Sequence, residues 1–267
     1  MTQIREPAVA GRFYPDHPEE LSKTVLSMLQ ESETEPKPAP KALIVPHAAY
    51  VYSGPVAATA YSRLLQHRDL YDRVVLLGPC HHTALTGVAA STSRFFRTPI
   101  GNVPVDNEDV KRLDHRHVIR SDAPHKLEHS LEVQLPFLQL VLGKFSLVPL
   151  VVGSVEPQTV VEIIDFLWGG PETLFVISSD LSHYLPYEAA KRCDEVTCRA
   201  IEEMEADRIH SGDACGSTAI AGLLITAKRR RMQIDSLDLR NSGDTAGGKD
   251  HVVGYGAWAL GETLTCE

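Results

Sequence analysis

Four stretches of this 267-residue chain end on side chains that bind metals or move protons. The run Leu43-Ile44-Val45-Pro46 stops at His47, and Arg73-Val74-Val75-Leu76-Leu77-Gly78-Pro79-Cys80 runs into His81 and His82. Leu174 to Ser179 delivers Asp180, with His183 close behind, and Asp244 sits in the Gly-rich turn from Arg240 to Gly248. Two neutral imidazoles with one carboxylate leave coordination positions open on a first-row ion. That set suits non-haem Fe(II), and Zn(II) almost as well. A remaining histidine can act as general acid or base, because its ordinary pKa lies near neutrality. Taken singly, each residue has a plainer role: a loop histidine satisfying backbone groups, or an aspartate capping a turn or helix.

Position is what would bring these groups together. The apolar runs read as buried strands, and segments of helical periodicity alternate with them: 19–30, a helix opening at Pro55 with Val56, Ala60 and Leu64 on one side, 128–142 kinked at Pro136, 159–168, 187–205 and 217–230. Further strands are expected over 85–91, 146–153, 234–239 and 251–260, with a turn-rich ribbon over 98–105 and a surface loop over 31–40. The pattern predicts a single α/β domain with a central mixed sheet and helices on both faces. In such a sheet the carboxyl ends of strands border the crevice where ligands bind. His47, His81, Asp180 and Asp244 would then share one edge.

Three other features carry chemistry or its imitation. In Glu128-His129-Ser130-Leu131-Glu132 the two acids fall on one helix face, with His129 and Ser130 beside a pocket, or else they simply complement a helix N-terminus. Cys215-Gly216 opens a small-residue helix; with no histidine near it in sequence, packing is the expected role of this thiol. Lys228 to Arg231 closes that helix as a solvated basic end. There is no P-loop, dinucleotide fingerprint or GxSxG, which removes phosphate-cradling and serine-hydrolase readings.

The totals are those of an ordinary soluble domain: 43% hydrophobic, 23% charged, net charge −9. That charge argues against nucleic acid or an anionic membrane as partner, no apolar run approaches the ~20 residues of a membrane span, and residues 1–6 lack the apolar core of a signal peptide. The expected location is cytoplasmic.

The motifs, in order, resemble the Memo family, including the prokaryotic members known as AmmeMemoRadiSam system protein B. The resemblance spans nearly the whole chain: Ala10-Gly11-Arg12-Phe13-Tyr14-Pro15, Val45-Pro46-His47-Ala48-Ala49-Tyr50, Gly78-Pro79-Cys80-His81-His82, Arg97-Thr98-Pro99, Glu128-His129-Ser130 with Glu132, Ser178-Ser179-Asp180 with His183, Cys215-Gly216 and Val253-Gly254-Tyr255. It implies a fold like that of class III extradiol dioxygenases, the LigB-like enzymes, with His47 and His81 as metal ligands and Asp180 and His183 as pocket residues. Animal members place a cysteine in the segment matching 241–245; here Asp244 is the expected third ligand, an oxygen donor in place of sulfur. Fe(II) is the implied ion, with Zn(II) or copper as alternatives, and radical SAM and AMMECR1-type proteins are the implied partners. Two readings follow. One is a dioxygenase-like oxidoreductase acting on a small molecule, with His183 or His129 moving protons; the other is a non-catalytic metal- or peptide-binding module. A Zn(II) hydrolase stands third.

The five cysteines (Cys80, Cys193, Cys198, Cys215 and Cys266) form no CxxC and no disulfide framework. All five are expected to be free thiols; a peptide map showing one stoichiometric disulfide would refute this.

Overall fold

The computed structural model describes residues 3–32, 37–113 and 117–262. In chain order the elements are β1 (Ile4–Arg5), α1 (Pro18–Glu31), β2 (Ala42–Val45), α2 (Tyr50–Tyr61), β3 (Arg73–Pro79), β4 (Val88–Ala90), β5 (Phe95–Thr98), β6 (Gly101–Pro104), α3 (Asn107–Arg112), β7 (Val118–Arg120), α4 (Leu135–Leu142), β8 (Ser146–Val152), α5 (Pro157–Leu167), β9 (Thr173–Ser178), β10 (His183–Leu185), α6 (Tyr187–Glu202), α7 (Ser217–Arg229), β11 (Gln233–Asn241) and β12 (Val252–Gly261). Nine strands form one mixed sheet in the order β10-β12-β2-β9-β3-β8-β4-β7, with β11 on the other side of β12, and β1, β5 and β6 form a small second sheet.

The centre of the large sheet is parallel. β2 pairs with β9, β9 with β3 and β3 with β8, all in the same direction. Successive residues of a strand point to opposite faces. Every residue of β2 and β9, and all of β3 but Arg73, is buried, so both faces are covered. The seven α-helices among the described residues flank this single α/β domain, as expected. The register aligns Val45 with Ser178 and Leu77 with Ile177, so the three strands run out at one level.

Several boundaries differ from the sequence expectation. α4 begins at Leu135, and Pro136 occupies its first turn, where a missing N–H is harmless, so it starts the helix and does not kink it. Residues 128–131 are loop, and Glu128 and Glu132 do not share a helix face. α2 begins at Tyr50, which places Pro55 inside it, where the ring removes a donor that Val51 would otherwise bond. The short α3 and β7 were not expected, since six and three residues carry too little periodicity to read. His183 opens β10 and pairs with Val253. The 31–40 loop lies partly outside the described residues.

Cys80, Cys193, Cys198 and Cys215 are free; Cys266 lies outside the described residues. No helix among the described residues is long and apolar enough to cross a membrane.

The amino-terminal arm is tied down by one buried acid. Glu132, fully buried, accepts hydrogen bonds from the backbone N–H groups of Ala8 and Val9 (2.8 and 3.0 Å) and from the Tyr14 hydroxyl (2.6 Å), and it pairs with the guanidinium of Arg5. Truncating one member of a buried pair strands the other charge. Glu132→Ala should therefore cost about 3–5 kcal/mol. Urea unfolding checks it, and a double replacement of Arg5 and Glu132 by methionine should cost less than the sum of the single replacements.

Candidate metal centre

Because β2, β9 and β3 are parallel and level, the residues just past their ends fall side by side: His47, Asp180 and His81. His129 joins them from the loop that precedes α4. The His47 ring centroid lies 5.3 Å from that of His81 and 5.5 Å from that of His129, and the His81 and His129 rings stack at 4.8 Å. One nitrogen from each of the three imidazoles lies within 4.8 Å of the others. The group floors a cleft of about 590 Å³ walled by Phe13, Tyr52, Tyr184 and Tyr255, with Asp180 and His183 also lining it.

Hydrogen-bond direction decides which nitrogen carries a lone pair. His47 Nδ1 is 2.9 Å from Ser178 Oγ. The Ser178 hydroxyl proton is spent on the carbonyl of Ser130 (2.6 Å), and the same oxygen accepts from Gln134 Nε2 (2.8 Å). The Gln134 amide is oriented in turn, since its nitrogen also donates to Pro46 O and its oxygen accepts from Tyr61 OH. Ser178 Oγ is therefore the acceptor, Nδ1 of His47 carries the proton, and Nε2 keeps its lone pair. On His81, Nδ1 faces the Glu128 carboxylate at 2.9 Å. An ionised carboxylate only accepts, so the lone pair of neutral His81 is again on Nε2.

The charges agree with this arrangement. Burial, reinforced by neighbouring His81, pushes His47 down to about 3. Burial and then His47 push His129 down to about 4. Burial also acts to lower His81, but the Glu128 hydrogen bond and charge outweigh it and raise its pKa. Burial acts to raise Glu128, yet the hydrogen bond from His81 holds it well below the carboxylate range. Asp180 is raised by burial, against the hydrogen bond its Oδ1 accepts from the His47 backbone N–H at 2.7 Å.

Three imidazoles within reach of one another, two of them with an unprotonated Nε2, fit a first-row transition ion, and the donor set suits Zn, Fe or Cu. The residues singled out in the sequence divide accordingly. His47 and His81 come together, and His129, expected as a proton carrier, stands in the same group. Asp180 and His183 line the cleft. Asp244 is exposed and turned elsewhere: its carboxylate accepts from Tyr187 OH and from the Asn241 backbone, capping its own turn. Cys215 has the histidine that its sequence neighbourhood lacks, since its sulfur lies 3.3 Å from His47 Nε2 across 168 positions. Burial pushes that thiol up to about 12. Ser178 stands in a quoted motif, but its role, like that of Gln134, is revealed only by the contacts.

The sequence profile of the Memo-like protein family matches residues 5–259. The chain belongs to the Memo family. It is 37% identical to a MEMO1 family protein of Aquifex aeolicus over 95% of this chain and 97% of that one. A MEMO1 family protein of Aeropyrum pernix is 38% identical over 96% and 99%, and one of Methanococcoides burtonii 35% over 95% and 98%.

The buried neutral histidines make a pH prediction. An unfolded histidine titrates at about 6.5; folded His47 resists protonation down to about 3, and His129 and His125 down to about 4. Between these limits the unfolded chain binds more protons, so stability is full above pH ~6.5 and falls as pH drops through the window. His81, raised, contributes in the opposite sense near neutrality. The urea midpoint of metal-free protein should fall between pH ~6.5 and ~4, and His47→Asn should flatten the slope; an unchanged midpoint refutes this.

Proposed function

We propose that this Memo-family protein is a metal-dependent, dioxygenase-like oxidoreductase whose ion is held by His47, His81 and His129. One observation carries the reading: three imidazoles converge at the carboxyl edge of the sheet, two of them with Nε2 left unprotonated by a hydrogen bond at Nδ1, that of His47 lying 3.3 Å from the Cys215 sulfur. When bound, the ion supplies open positions for oxygen donors. Fe(II) is favoured by analogy with the LigB-like fold of class III extradiol dioxygenases, ahead of Zn(II) and copper.

The chain's own residues do the rest. Phe13 packs edge-on against His129 at 4.9 Å and shields that ring from water. Asp180 lines the floor, where it accepts a hydrogen bond from the His47 backbone N–H, and His183 at the rim moves the proton. The substrate is a small oxygen-bearing organic molecule. A cytoplasmic location fits the irregular spacing of the five cysteines, which make no disulfide framework in sequence, and the family likeness suggests radical SAM and AMMECR1-type partners. A second reading, a binding module, draws support from Tyr184 and Tyr52, which line the cleft while 72% and 37% exposed.

Metal analysis of untagged protein purified without air should find an ion in the wild type and none in His47→Ala. With Fe(II) loaded anaerobically, an oxygen electrode should record turnover on a catechol-like compound or a metabolite pool. His183→Gln should keep the ion and lose roughly 10²–10⁴-fold of that rate. A flat wild-type trace across the pool would favour the module.

A further inference from the structure

Glu128 is a buried acid, its side chain 1% exposed, that lies off the cleft lining and whose carboxylate meets no lysine or arginine among the described residues. Its four acceptor contacts all go to the residues that build the centre. Oε1 accepts from His81 Nδ1, from the His129 N–H and from the Ser130 N–H, each at 2.9 Å, and Oε2 accepts from the His81 N–H at 2.6 Å. His129 Nδ1 lies a further 3.4 Å from Oε1. The carboxylate thus holds the end of β3 and the loop before α4 together, and the Ser130 hydroxyl adds a bond to Pro79 O at 2.9 Å.

We propose that Glu128 is the positioning residue of the centre: through one carboxylate it locks His81 as the Nδ1–H tautomer and sets His129 beside it. The proposal rests on the metal reading above but predicts something of the metal-free protein as well. His47 and His81 reach the same tautomer by different means. His47 leans on a neutral hydroxyl, Ser178, and so gains orientation without charge. His81 leans on an anion, which orients the ring and also increases the electron density its Nε2 offers. All four donors facing Glu128 are N–H groups, so an acceptor-only side chain is required. Glutamine at this place sets an NH₂ against one of them. With the amide one way round, the His81 backbone N–H loses its acceptor; the other way round, the NH₂ faces Nδ1 and favours the proton on Nε2, closing the lone pair.

The test uses full-length protein with ¹⁵N-labelled histidine, free of metal, at alkaline pH, followed by competitive Zn(II) titration. Wild-type His81 should show a bare Nε2, and Glu128→Gln should move the proton to Nε2 or mix the tautomers. Its Zn(II) affinity should fall roughly 10–100-fold. Glu128→Asp keeps the anion and should keep the tautomer, with a smaller loss; a merely structural role predicts no such separation between the two variants. Ser178→Ala should leave the His81 signal unmoved. Finding His81 of the wild type as the Nε2–H tautomer overturns the proposal without any variant having to fold, and so does a Glu128→Gln protein that folds and binds Zn(II) as the wild type does. If the wild type shows the tautomer and the variant loses it while neither binds Zn(II), the positioning role stands and the metal reading alone falls.

Discussion

Parallel pairing of β2, β9 and β3 is the constraint on which the rest of this molecule depends. A parallel ladder places carboxyl ends on one side, and the observed register makes three of them level, Val45 against Ser178 and Ile177 against Leu77. His47, Asp180 and His81 follow those ends within a few residues. A slip of one residue in any of the strands would turn its buried side chains to the other face, and the apolar run would resist that along its whole length. The precision of the centre is therefore inherited from the core.

The polar groups near the centre are satisfied in sequence, each fixing the next. Tyr61 orients Gln134, Gln134 and the Ser130 carbonyl orient Ser178, and Ser178 orients His47. Every member except the histidine lies outside the cleft, and all are buried. Leaving one such donor or acceptor unmatched in the interior costs about 1–3 kcal/mol. The chain of bonds consequently has one low-energy direction, and the direction of its last link decides where His47 keeps its lone pair.

Much of this was legible in the chain because burial writes itself as continuous apolar runs. β2, β3, β8 and β9 were readable for that reason, as were the histidines and the aspartate that end three of them. His129 was less readable as a member of the imidazole group because it arrives on a loop, whose path depends on Glu128, Arg5 and Ser130 and leaves no periodic trace. The same segment looked helical, since Leu131, Leu135 and Leu138 recur at helical spacing although only the last two lie in a helix. Asp244 misled in the opposite way: a carboxylate in a late Gly-rich turn has the right chemistry, but it caps its own loop. The roles of Ser178, though it lies in a family motif, and of Gln134 were not readable in sequence, because a buried hydroxyl or amide takes its meaning from the groups it meets.

The three imidazoles and Asp180 stand at positions 47, 81, 129 and 180, and the antiparallel strand that borders β2 ends at Gly261. Bringing such distant segments together demands the closure of long loops before any contact repays it. During synthesis, β2 and β3 leave the ribosome without the strand that belongs between them, since β9 begins only at Thr173. His47 and His81 are then merely two histidines on an unpaired chain. The centre comes into being after about two-thirds of the protein has been made, so a nascent or truncated chain has no preformed place to trap an ion. Competence to bind waits on β9.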